Sequence, residues 1–116
     1  MTTRAIELCE IAPTLATASR HQEIGDAALP LPEASRWRDA LLHVAEQRYA
    51  AAAGLYDEIG SQPLAADAHL LAAQQAADQG RTADANQHAE AVLAFAEQTG
   101  AMLYRQRAEV FLRASA

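Results

Sequence analysis

The chain contains no lysine; all nine of its Lys-plus-Arg residues are arginine. That excludes Schiff-base chemistry and the lysine of a phosphate-binding loop, and no Gly-x-x-x-x-Gly-Lys-Ser/Thr segment occurs. Cys9 is the sole cysteine, so neither an intramolecular disulfide nor a thiolate zinc cluster can form, and a reducing cytoplasm is the expected compartment. Flanked by Glu7 and Glu10, its thiol has no cationic neighbour in sequence to activate it and reads as a small buried hydrophobe. Long apolar runs are missing too. Nothing approaches the roughly 18 uninterrupted residues of a membrane span, and Glu7 and Glu10 interrupt the N-terminal stretch where a signal peptide would need its apolar core. Cations are outnumbered, 9 against 15 Asp plus Glu, for a net charge of −6. A nucleic-acid or anionic-lipid surface needs clustered positive charge, so direct binding to either is not expected.

What the chain has in abundance is alanine, 30 of 116 residues. In "YAAAAGLYDEIG", residues 49–60, Tyr49, Ala52, Ala53, Tyr56 and Ile59 fall on one stripe of a helix, and Gly60 stands where a helix takes a left-handed closing residue. The same pattern predicts helices over about 63–79, closed by Gly80, and 82–99, closed by Gly100, with Thr82 as N-cap. On the latter, Ala85, Ala89, Val92, Leu93 and Ala96 form the buried stripe. Upstream, residues 32–46 read as a helix with Trp37, Leu41 and Val44 inward. Residues 1–22 read as an N-terminal helix that Pro13 kinks or splits, followed by a loop over 23–32 marked by Gly25 and two prolines. No segment alternates with period two. The expected fold is all-α, five or six antiparallel helices in one domain over 1–116.

Ala52 and Ala85 lie 33 residues apart, each near the start of the second helix of a predicted pair, 33–60 and 63–99. Small residues at such positions let helix axes approach closely. "GRTADA", residues 80–85, resembles the Gly-x-x-x-x-Ala turn of a tetratricopeptide repeat, whose period is roughly 34 residues. "QRYAAAAGLYDEIGSQP" resembles its second helix, and Trp37 the aromatic near the start of its first. His69 stands where an aromatic is expected and Ala89 where a large residue is, so the repeats are degenerate. From Trp37 onward the chain also resembles the C-terminal helical tail of large ATPase-containing signalling proteins and transcriptional regulators of high-GC bacteria, including adenylate-cyclase-like proteins. The matching steps are Tyr56 to Ser61, Gly80–Arg81, Leu93 to Ala96 and Gly100–Ala101. That resemblance implies an interaction tail without the catalytic or DNA-binding parts.

The expected function is therefore a non-catalytic protein–protein interaction module, with no cofactor and no metal, whose partner is another protein or a second copy of itself, as a homodimer or larger scaffold. The expected contact residues are Arg38, His43, Gln74 and Asp78 on the polar edges of two helices, and Leu8, Ile11 and Leu15 on the N-terminal helix, whose apolar residues spread too widely for one neighbour to cover. The segment 101–116 reads as a capping helix, with Tyr104, Ala108 and Phe111 inward and Arg105, Glu109 and Arg113 facing water. A small helical enzyme using His43 or His69 as acid or base is the weaker alternative. Asp84 and His88, four apart, could offer two metal ligands, which is too few for a site.

Overall fold

The computed structural model describes residues 2–31 and 35–114. Among these residues it has seven helices and no strand: α1 (Thr2–Thr17), α2 (His21–Ala28), α3 (Arg36–Ala45), α4 (Tyr49–Ile59), α5 (Gln62–Asp78), α6 (Thr82–Thr99) and α7 (Met102–Ala114). The expected helix start at 33, residue 1 and the last two positions lie outside the described residues. Contacts cluster in two units, Met1–Ala68 and His69–Ala116, with the division inside α5.

The helix stops follow one chemistry. At Gly60, Gly80 and Gly100 the backbone turns left-handed, with φ of 92°, 75° and 73°, as the sequence predicts. Two further stops were not legible, because Ser19 and Gln47 adopt the same conformation at φ 61° and 62° without being glycine. Each costs steric strain that an L-residue side chain normally avoids. At four of these stops the following amide reaches back to a carbonyl five residues earlier: Arg20 N–H to Leu15 O at 2.8 Å, Arg48 to His43 at 2.7 Å, Ser61 to Tyr56 at 2.9 Å and Arg81 to Ala76 at 2.8 Å. The orphan carbonyls of each helix end are satisfied in this way. Three of the four thus place an arginine directly after the left-handed residue, at 20, 48 and 81.

In the first unit, α1, α2 and α3 pack on one another and α4 packs on α3. The expected loop over 23–32 is largely α2. Ile24, Ala28 and Leu31 are buried at i, i+4 and i+7, and this periodicity outweighs the glycine and proline signals. A Cβ at Gly25 would stand 3.5 Å from the Ala45 Cβ, so this glycine sits where α2 and α3 run close together. Nor does Pro13 split its helix, since α1 continues through it. Proline removes one backbone donor, and the burial of Cys9, Ala12 and Ala16 on both sides of it holds the helix together. On α4, Tyr49, Ala52, Ala53 and Tyr56 are buried, as the stripe requires. α3 starts behind Ser35, whose hydroxyl accepts from Arg38 N–H at 3.4 Å.

In the second unit α6 packs on α7 around buried Ala89, Val92 and Ala108, with Leu70, Leu93, Tyr104, Phe111 and Leu112 against them. The Phe95 and Tyr104 rings meet edge to face, with centroids 5.3 Å apart at 81°. Thr82 is the first helical residue rather than the N-cap, which is Arg81 without a side-chain cap bond; Arg81 instead reaches the Asp84 carboxylate at 2.9 Å. α7 also departs from a purely polar cap, because Met102, Leu103 and Val110 are 62%, 55% and 57% exposed. The expected inner stripe is present, but apolar residues also occupy the outer face between the arginines.

Candidate functional site

Outward placement of polar or apolar groups on a helix follows from which positions its neighbours already occupy. On α1 the inward residues are Cys9, Ala12 and Ala16, so the opposite face presents Glu7, Glu10, Ile11 and Thr14, all exposed. Of the expected contact residues, Ile11 is 51% exposed, while Leu8 and Leu15 are half-buried at the border of that face. Two neighbours, α2 and α3, pack on this helix, and Ile11 is its one large apolar residue that is exposed among the described residues.

Arg38 and His43 occupy α3 in the same unit and are half-buried. Arg38 Nε and His43 Nδ1 are buried nitrogens without a hydrogen-bond partner. Leaving such an atom unmatched costs about 1–3 kcal/mol, more for a charged group. In the same unit the Trp37 and Tyr56 rings are tilted by 48° with centroids 6.4 Å apart. Cys9 is fully buried, with its thiol 3.8 Å from Trp37 O. The Tyr56 hydroxyl lies close enough to interact with that thiol, but it makes no hydrogen bond of normal geometry. Burial raises the Cys9 pKa to about 11, against a smaller lowering by Tyr56, and pushes the Tyr56 phenol far up as well. Neither group is a nucleophile near neutral pH.

Gln74 and Asp78 are brought together on exposed successive turns of α5, Gln74 Nε2 donating to Asp78 Oδ1 at 2.8 Å. They belong to the second unit and Arg38 with His43 to the first. The second unit also joins His69 to His88, which the sequence did not pair: their Nδ1 atoms are 2.9 Å apart. The ring centroids are 5.2 Å apart, longer than the nitrogen separation by about two ring radii, so the imidazoles meet end to end. Both lone-pair directions lie on the line between the rings. That geometry shares one proton; it does not converge on a cation the way two cis ligands do. Asp84 is turned to Arg81, and among the described residues no group of three or more His, Cys, Asp or Glu could hold a metal ion.

A second unanticipated pair joins His21 Nε2 and Tyr49 Oη at 2.6 Å. A sequence signal for it exists. His21 and Tyr49 each directly follow a left-handed residue and an arginine, in "SRH" and "QRY", so they hold equivalent positions at the starts of α2 and α4. His69 and His88 share no such register, and only the packing of α5 on α6 brings them together. Compared with family models, characterised proteins and solved structures, the chain matches none. Among the described residues no helix is long and apolar enough to cross a membrane.

Proposed function

We propose that this chain is a non-catalytic protein-interaction module of tetratricopeptide-like construction, serving a regulatory or signalling assembly. The observation that carries the reading is the recurring turn: a left-handed residue, an arginine whose amide closes the preceding helix, and a new helix, at 19–20, 47–48 and 80–81. In each case the arginine pairs with a nearby carboxylate, Glu23, Glu46 or Asp84. Three helix pairs built on one turn, α1–α2, α3–α4 and α5–α6, followed by α7, are what a degenerate helical repeat would produce, and helical repeats bind extended or helical partner segments along their surfaces. On this reading α1 and α2 form the first of the repeats.

The partner is another protein, contacted through Ile11 with the neighbouring Leu8 and Leu15, and through the polar edges carrying Arg38 and His43 on α3 and Gln74 and Asp78 on α5. The resemblance to helical tails of bacterial regulators supplies the regulatory context. An acid–base role for His69 is less favoured, because its ring is committed end to end to His88. The test is affinity capture from the native host with the intact protein, Ile11→Ser and Arg38→Ala, each checked by circular dichroism. A stoichiometric partner that is retained by the intact protein and lost by folded variants is expected. Identical capture by all three would remove these residues from the interface, and no capture above background would remove the reading.

A further inference from the structure

The outer face of α7 combines two features, exposed apolar side chains and arginines without an ion-pair partner among the described residues. Leu103 and Val110 are seven residues apart on one side of the helix, 55% and 57% exposed, with Met102 beside them at 62%. Arg107 lies between the two and Arg113 one turn beyond, both exposed. The carboxylate of Glu109 is taken by Arg105 at 3.2 Å. Arg113 reaches only the Glu109 backbone oxygen, at 3.3 Å, and neither Arg107 nor Arg113 forms an ion pair among the described residues. In a chain of net charge −6, the α7 segment carries three arginines and one glutamate. It is a cationic, apolar strip on an otherwise acidic molecule.

On α1 the complementary arrangement occurs. Glu7, Glu10, Ile11 and Thr14 recur at three- and four-residue spacing on the exposed side, and α1 as a whole carries these two carboxylates and one cation, Arg4, three residues before Glu7 in sequence. We infer that the Leu103–Val110 face of α7 receives the Glu7–Ile11 face of α1 from a second copy of this chain. Ile11 would lie against Leu103 and Val110 while Glu7 and Glu10 meet Arg107 and Arg113. This rests on the interaction-module reading and names a partner for it. Like pairs are disfavoured: α7 on α7 sets Arg107 near Arg107, and α1 on α1 opposes carboxylates around a single isoleucine. The favoured contact is heterologous, joining a different patch on each copy, so it propagates head to tail or closes into a ring. It requires only that both faces be exposed, as they are. A single helix-on-helix contact buries less than the roughly 1,200 Å² of a stable interface, so association is weak, and exposed ion pairs make it sensitive to salt.

Sedimentation velocity on the intact protein at low and high salt tests the pairing, together with two charge-reversed chains, Glu7→Arg/Glu10→Arg and Arg107→Glu/Arg113→Glu. The intact protein is expected to gain mass with concentration at low salt and to lose that gain at high salt. Each reversed chain alone should lose it while keeping its circular-dichroism spectrum. Mixing the two reversed chains should restore it, because both altered faces then find a match. An intact protein that stays monomeric at low salt, reversed chains that associate as before, or folded chains whose mixture stays monomeric would each overturn the pairing. A monomer that still captures a host protein would leave the broader reading standing; a monomer that captures nothing would remove both.

Discussion

Ala52 has no exposed surface, and neither has Ala53 beside it, so the alanine run of α4 divides into two buried and two exposed residues. The buried pair faces packed neighbours with no room for a longer side chain. Ala52→Leu is expected to destabilise by about 1–3 kcal/mol through overpacking, read as a lower melting temperature; an unchanged midpoint would show that close packing does not limit this position. Gly54, on the same helix, has nothing within 4 Å of where its Cβ would stand. Gly54→Ala should therefore stabilise by up to about 1 kcal/mol, since it removes backbone entropy from the unfolded chain and adds no clash. Cys9 makes a third residue-level case. Its thiol is fully buried and its pKa is raised to about 11, so labelling by a maleimide near neutral pH should follow unfolding, with fast reaction only in denaturant. Rapid labelling of the native protein would show that α1 detaches readily from α3.

At the level of elements, the α5–α6 contact carries the clearest pH dependence. The His88 pKa is lowered chiefly by burial, then by the charge of His69 and by Arg81, with Asp84 opposing. Its folded value is thus below the unfolded imidazole value of about 6.5, so the folded state favours the neutral ring. The stability this contributes is present above the unfolded pKa and is lost as pH falls through the folded value, because protonation puts a charge on a ring that burial has desolvated. Thermal melts in steps downward from neutral pH should show a decline beginning near the unfolded value, about 6.5, and His88→Gln should flatten it. A wild-type midpoint constant through the window would mean that the pair opens without cost. Boundaries at this scale were legible where glycine supplied the left-handed residue, at 60, 80 and 100, and illegible where Ser19 and Gln47 took that conformation. α2 was hidden because Gly25 and the prolines after Leu29 look like a loop, although Ile24, Ala28 and Leu31 keep helical spacing.

For the whole molecule, the charge of −6 sets the long-range field. The intact protein is expected to leave the mobility of duplex DNA unchanged at micromolar concentration, because its cations are outnumbered and several are tied to neighbouring carboxylates. A salt-dependent shift in a gel would contradict this and point to the arginines of α7. The candidate contact residues were only partly legible. Ile11 was named because the apolar residues of the N-terminal helix spread too widely around it for one neighbour to cover. Met102, Leu103 and Val110 were missed, because Arg105, Glu109 and Arg113 make α7 read as a solvated ladder and nothing in the linear spacing shows that apolar residues stand between them.

By itself the sequence determined that the chain is helical, where most helices lie, and which side of α4 and α6 is buried, because these follow from the period of small and apolar residues and from glycine at helix ends. It also determined the acidic charge and the lone thiol. Only the tertiary structure decided that α2 exists, that His69 meets His88 and His21 meets Tyr49, and that Arg38 Nε and His43 Nδ1 are buried without partners. The physical reason is the same in each case. Periodicity is local and assigns a residue to a face, whereas what a face meets depends on contacts between residues far apart in the chain, 19 for the histidine pair and 28 for His21 and Tyr49.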